Sequence, residues 1–439
     1  MSRKITTFRA IFLGFLGVII IGTLLLMLPI AVKGDGHARF SEAFFTATSA
    51  VCVTGLVVRD TAVYWTIFGK CIILLLIQVG GMGVVTVAVA ISMLLKKRIG
   101  LAERSAMQES ISAFQVGGIV KMTSFIIKTV FVIEGIGACA LMFVFIPEYG
   151  VAKGICYSIF HSISAFCNAG FDLMGEREMF SSMVAYQKNV IVNLVLMFMI
   201  IAGGIGFKTW DDIRLNKIRI KQYGMQSKMV LSISVVLILI PATYFFFWEY
   251  ANLPVAERIL SSFFQAVTPR TAGFNTSNLV EFSDTGKVIL IFLMLIGGSS
   301  GSTAGGIKLT TISVLLAAAK AVFTQKSDVT AYGRRIENEA VTKAGVIFMM
   351  YNILFFIAGI MISHIEKLPV LDCLFESASA IATVGLTLGI TAKLGICSRV
   401  ILILLMILGR VGGLTVIFAV LSENKANKGR FPVEKISVG

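Results

Sequence analysis

Long apolar runs alternate along the chain with short amphiphilic segments, and this alternation predicts its elements. Ala10–Ile30 and Ile72–Leu95 each reach the roughly 20 apolar residues a helix needs to cross a hydrocarbon core, and similar runs follow to the C-terminal region. Between the two runs of each pair lies a segment rich in Ser, Thr and Ala. It is too short and polar to cross a bilayer, yet too poor in charge for an ordinary exposed loop, so a re-entrant helix fits it. The N-terminal run is basic and then apolar like a signal peptide, but no small-residue cleavage site precedes Pro29 and further spans follow, so it is expected to be a retained first span.

Composition fixes the solvent. The 439 residues are 56% hydrophobic and 14% charged, with a mean hydropathy of +0.88, which excludes a water-soluble domain. The net charge of +15 would in a soluble protein suggest nucleic acid, but here the basic residues cluster between spans. Lys96, Lys97, Arg98 and Arg104 form one cluster, Lys208, Arg214, Lys217, Arg219 and Lys221 a second, and Arg334, Arg335 and Lys343 a third. With Arg3, Lys4 and Arg9 they are expected on the cytoplasmic side, which places both termini inside. Nucleic-acid binding is excluded, since such loops accompany any multi-span protein and no recognition module is present. The seven cysteines have no metal or redox spacing and read as small hydrophobes.

Self-similarity is the strongest signal. FFTATSAVCVTGL (Phe44 to Leu56), IFHSISAFCNAGF (Ile159 to Phe171), FFQAVTPRTAGF (Phe263 to Phe274) and LFESASAIATVGL (Leu374 to Leu386) each place a lone glycine after an apolar or aromatic pair. The glycines are Gly55, Gly170, Gly273 and Gly385, spaced by near-equal intervals of roughly 110 residues. Each unit reads span, re-entrant helix, glycine turn, span. The fold expected is an all-α integral membrane protein, with four helix–pore-loop–helix repeats around a pseudo-four-fold central pore. The divisions are 1–100 for the first repeat, 101–224 for the second with its preceding cytoplasmic linker, 225–325 for the third, 326–422 for the fourth and 423–439 for a cytoplasmic tail.

Four turns at membrane depth must line a cavity. Rings of backbone carbonyls can replace the hydration shell of a potassium ion without placing side-chain charge in the membrane, and glycine accepts the positive φ such a turn needs. The preceding residues, Val53-Thr54, Asn168-Ala169, Thr271-Ala272 and Thr383-Val384, differ between copies and none is acidic, unlike a divalent-cation channel. Close helix packing accounts for one such glycine, not for four in matched context.

On these motifs the sequence resembles the Trk/Ktr/HKT superfamily of potassium transporters over essentially its whole length, most closely the membrane subunits of Ktr systems. It opens directly on its first repeat, without the leading hairpin of Trk-type members. The resemblance implies a potassium filter built by Val53, Thr54, Gly55, Asn168, Ala169, Gly170, Thr271, Ala272, Gly273, Thr383, Val384 and Gly385, holding K+ through backbone carbonyls. Gly55 stands where some plant members have a serine associated with sodium preference, which implies potassium selectivity. It also implies a homodimer seated on cytoplasmic nucleotide-binding RCK-domain subunits of the KtrA or KtrC kind in a bacterial plasma membrane, with Na+ as an activator in some members. Docking surfaces are expected at Lys96–Arg104, Lys208–Lys228, Lys326–Lys343 and the tail Glu423–Gly439.

The span after the third filter is interrupted by Gly297, Gly298, Ser299, Ser300, Gly301, Ser302, Thr303, Ala304, Gly305 and Gly306. No stable helix forms on such a run, and the apolar sequence on each side (Val288–Ile296 and Leu309–Phe323) puts the break at membrane depth. A flexible gating loop beneath the filter is expected, as the resemblance also implies. Milder glycine clusters at Gly80-Gly81-Met82-Gly83, Gly203-Gly204-Ile205-Gly206 and Gly409-Arg410-Val411-Gly412-Gly413 are expected to narrow the other second spans. Arg410, a charge within an apolar run, is expected to face the gating loop and contact its carbonyls; snorkelling to the cytoplasmic interface is the alternative. Glu134 pairs with a neighbouring helix or marks a subunit contact. His161 and Glu376 are read as capping or bonding between helices, Arg270 as bracing its loop, and Asp211 and Asp212 as pairing with nearby basic residues.

Two other classes fit poorly. A coupled carrier for another solute predicts inverted or two-fold repeats, whereas the four units share one orientation. An enzyme needs a nucleophile, acid–base pair or metal cluster, and the three His residues are scattered. The glycine run ending in Gly-Gly-Ile-Lys lacks the strand of a phosphate-binding loop, so no cofactor is expected.

Overall fold

The computed structural model describes residues 7–34, 36–95, 100–110, 118–413 and 434. Arg3, Lys4, Lys96, Lys97, Arg98 and, apart from Glu434, the tail 423–439 lie outside the described residues. The described chain is helical, and its one short hairpin pairs Thr330–Ala331 with Arg334–Arg335.

Each repeat opens on a long apolar helix: Thr7–Leu26, Ile119–Tyr149, Met225–Tyr244 and Asn338–Glu366. All four are long and apolar enough to cross a membrane. A short amphiphilic helix follows in each case, at Phe40–Val51, Val151–Phe166, Val255–Val267 and Val370–Ile381. These pore helices stop at the glycine turns.

The second spans begin where side chains satisfy orphan N–H groups. Thr66 Oγ1 accepts from Gly69 N at 3.3 Å, Asn189 Oδ1 from Val192 N at 3.0 Å and Ser283 Oγ from Gly286 N at 3.0 Å. In the fourth repeat the carboxylate of Glu366 accepts from Gly395 N and from the Ser398 hydroxyl.

The second spans differ from the sequence expectation. Ile72–Leu95 is not one continuous helix: the helix starts at Ile67, ends at Met82 and resumes at Val84 after a bend of 96°. Val190–Gly204 and Phe207–Asn216 are bent by 97°. The glycine clusters break these helices rather than merely narrowing them. Gly83, Gly206 and Gly412 sit at φ +87°, +90° and +92°, a backbone region that glycine alone enters without strain.

A second group of glycines explains how the pore helices lie so close to these spans. A Cβ on Gly80, Gly203 or Gly409 would collide with the carbonyl oxygen of Val51, Phe166 or Ile381 respectively. In three repeats, therefore, the last turn of the pore helix rests on bare backbone of the second span.

In the third repeat Asp284–Leu295 ends before Gly297, and Leu309–Phe323 resumes after Gly306. The run between them is non-helical, as its composition predicts. It is tied to the second repeat by Ser299 N to Gly204 O at 2.9 Å and Phe207 N to Gly301 O at 2.8 Å. Irregular backbone at this depth is satisfied by neighbouring protein, as a bilayer demands.

Candidate functional site

The four glycine turns close into a ring in sequence order. A Cβ on Gly55 would lie 2.5 Å from Ala169 O, and one on Gly170 would lie 2.6 Å from Ala272 O. One on Gly273 would strike Val384 O, and one on Gly385 would strike Thr54 O. No L side chain fits at any of the four positions. The same contacts set the carbonyls of Thr54, Ala169, Ala272 and Val384 side by side around the ring.

The turns share a backbone signature that the sequence did not reveal. Val53, Asn168, Thr271 and Thr383 have φ between +51° and +68°, and the glycines two residues later lie between +65° and +94°. Positive φ is uncommon outside glycine and costs about 1–3 kcal/mol at a non-glycine residue, so it persists only where packing enforces it. All eight residues before the glycines are buried, none above 1% exposed.

A hydroxyl on or just past each pore helix pins its turn. Ser49 Oγ accepts from Gly55 N at 3.1 Å and Ser379 Oγ from Gly385 N at 3.0 Å. In the other two repeats the hydroxyl donates onward, Ser164 to Phe171 O at 2.7 Å and Thr268 to Phe274 O at 2.5 Å. These hydroxyls recur at matched positions after each apolar or aromatic pair, a signal present in the sequence that its reading passed over. Asn168 and Thr271 meet across the second and third repeats at 3.3 Å.

On one side the ring faces a cavity of about 280 Å³, lined by all four glycines, Asp60, Asp172 and Lys393. Burial pushes the Asp172 carboxyl up to about 7, opposed by a hydrogen bond from Met174 N and reinforced by Asp60. Asp60 is itself tied down by Ala62 N, Val63 N and Phe180 N.

On the other side lies the 297–306 loop. A Cβ on Gly305 would collide with the Thr383 hydroxyl. Thr303 Oγ1 donates to Phe166 O at 3.1 Å. Arg410 reaches the loop through Nη1 to Thr303 O, while its Nη2 reaches Gly80 O and, at 3.0 Å, Gly81 O. The guanidinium thus bridges the loop and the end of the first repeat's second span. Sequence reading missed a second cation here: Lys308 Nζ donates to Ala304 O at 2.7 Å and Gly305 O at 3.4 Å. Both cations line a further cavity of about 190 Å³ with Phe207 and Ser302.

The remaining polar residues fall outside the ring. Glu134 takes hydrogen bonds from Gln78 Nε2 at 3.1 and 3.2 Å, so it pairs with a neighbouring helix. Arg270 is turned away from the ring, with Nη2 donating to Ser234 Oγ at 2.9 Å. Asp212 accepts from Gly224 N and the Ser227 hydroxyl. His161 and Glu376 bind the segments that follow the turns. In the basic segment 326–343 Arg335 pairs with Asp328 at 3.0 Å, and Lys343 pairs with Glu339.

The family model of TrkH, a cation transport protein, matches residues 13–428. The chain is 39% identical to the potassium/sodium uptake protein NtpJ of Enterococcus hirae, over 100% of this chain and 98% of that protein. It is 37% identical to Ktr system potassium uptake protein B of Bacillus subtilis, over 99% and 97% of the two chains. The crystal structure of the potassium transporter TrkH from Vibrio parahaemolyticus superposes with a TM-score of 0.72 at 21% identity, covering 93% of this chain and 84% of that one; this is a likeness of fold. On the extent of these matches, the chain belongs to the TrkH family of cation transport proteins.

Proposed function

We propose that the chain is the ion-conducting membrane subunit of a Ktr-type potassium uptake system. The observation that carries this is the closed ring of Gly55, Gly170, Gly273 and Gly385, with the carbonyls of Thr54, Ala169, Ala272 and Val384 set around it. Backbone carbonyls are the ligands that replace potassium's hydration shell. The C-terminal ends of four pore helices, at Val51, Phe166, Val267 and Ile381, adjoin the ring, and each contributes about half a negative charge. Together these favour a dehydrated monovalent cation without a buried carboxylate. The relatives named for uptake, NtpJ for potassium and sodium and the Bacillus subtilis protein for potassium, point the same way.

Below the ring the 297–306 loop acts as the gate. Arg410 places a positive charge beside the path, with the Lys308 amine next to it, and a like charge passing through a low-dielectric interior is repelled. Permeation therefore requires the loop and these side chains to move aside. A cytoplasmic ring of RCK-domain subunits, docked on the basic segments of a homodimer, supplies that movement. Both termini lie in the cytoplasm of a bacterial cell, and potassium flows down its electrochemical gradient.

Growth tests this. Cells lacking their own potassium uptake and carrying this chain with an RCK-domain partner should grow at micromolar potassium. Gly55→Ser should weaken that growth at high external sodium. No rescue by the wild-type chain with its partner would refute the assignment.

A further inference from the structure

Position for position, the four pore helices carry a buried polar residue directly after their apolar or aromatic pair: Thr46, His161, Gln265 and Glu376. All four are at most 1% exposed. Burying such a group costs free energy unless it finds a hydrogen bond. Two of them do, and they bind the same backbone atom of their repeats.

His161 Nε2 accepts from Leu173 N at 3.1 Å. Its Nδ1 lies 2.7 Å from Tyr157 O, and a carbonyl there assigns the proton to Nδ1 and the lone pair to Nε2. Glu376 Oε1 accepts from Leu388 N at 3.3 Å and from the Thr387 hydroxyl, and its Oε2 accepts from Thr391 at 2.8 Å. Leu173 and Leu388 each stand three residues past their ring glycine. In the other two repeats the matching groups, Thr46 Oγ1 and both amide atoms of Gln265, have no hydrogen-bond partner among the described residues, nor has the hydroxyl of Thr276, three residues past Gly273. The ring runs in sequence order, so the second and fourth repeats face each other across it.

We propose that His161 and Glu376 are specificity-determining positioning residues. From opposite sides they hold the backbone on the outer side of the glycine ring, and so fix the ring's width against sodium. The first and third repeats lack this anchor from the pore helix, and in the third Asn275 is held instead through Ser182 Oγ and Met183 N. His161 serves two repeats at once, since its ring also packs on Phe274, which follows Gly273. This rests on the ring being the filter proposed above.

The test is the rubidium-to-sodium flux ratio of purified protein in liposomes. Glu376→Leu and His161→Phe keep volume but remove the acceptor, and each should lower the ratio about three- to tenfold, as the loss of one buried hydrogen bond would. Glu376→Gln and His161→Gln, which keep an acceptor within reach, should recover most of it. Gln265→Leu, at the unanchored matching position, should leave it unchanged. If Glu376→Leu fails to fold, Thr391→Val, which removes one donor to the carboxylate, should give a smaller shift in the same direction. A wild-type ratio in His161→Phe and in the Glu376 or Thr391 variant would overturn the proposal, as would an equal loss in Gln265→Leu. Absence of any rubidium preference in the wild type would instead overturn the filter assignment beneath it.

Discussion

Gly385 has no space for a side chain, because a Cβ there would collide with the carbonyl oxygen of Thr54. That contact joins the last repeat to the first, across most of the chain's length, and makes the ring closed instead of merely four-membered. Its φ of +94° adds a second requirement for glycine. Gly385→Ala should therefore cost at least about 1–3 kcal/mol in backbone strain alone. Rubidium uptake into liposomes should fall more than tenfold, and the melting temperature in detergent should drop.

The contact of Gly80 and Gly409 with pore-helix carbonyls makes a different demand, on packing rather than on φ. Gly80→Ala and Gly409→Ala should each destabilise by about 1–3 kcal/mol through overpacking. Gly345, within the long helix Asn338–Glu366, has nothing near its missing Cβ, and Gly345→Ala should be neutral or stabilise by up to about 1 kcal/mol. Thermal melts of the three variants in one detergent separate these outcomes.

Arg410 touches both the loop and the first repeat, the contacts that the proposed latch requires. Arg410→Ala should raise flux in the absence of the cytoplasmic partner and blunt its regulation. Unchanged basal flux together with unchanged regulation, measured with and without the partner, would remove Arg410 from the gate.

Asp172 lines the cavity over the ring, and burial pushes its carboxyl up to about 7. Its carboxylate is charged above that pH and neutral below it, so cations are drawn to the ring more strongly at alkaline than at acid external pH. Rubidium uptake should fall as external pH drops from about 8 to 6. Asp172→Asn should flatten that part of the profile and lower uptake at pH 8.

Much of this was legible in the sequence because membrane proteins write their architecture in coarse letters. The four long helices that open the repeats, the four short helices behind them and the four glycines follow from apolar length and from repetition, and the composition of 297–306 alone forbids a helix. What escaped was set by tertiary contact. The left-handed Val53, Asn168, Thr271 and Thr383 are unremarkable residue types held in place by their neighbours. The bends at Gly83 and Gly206 look, in one dimension, like small-residue packing. Lys308 follows the glycine run in plain view, but nothing in one dimension places its ammonium on Ala304 O. The anchors His161 and Glu376 were noticed, but the atoms they hold lie about 12 residues downstream across a turn whose shape periodicity does not encode.

The central claim is that four glycine turns form one selective path, and its most direct test is rubidium and sodium flux into liposomes holding the purified protein, wild type against Gly55→Ser. The account predicts rubidium uptake that potassium blocks in the wild type, and readier sodium entry in the variant. Flux indifferent to Gly55, Gly170, Gly273 and Gly385, or no flux from the wild type with its cytoplasmic partner present, would contradict it.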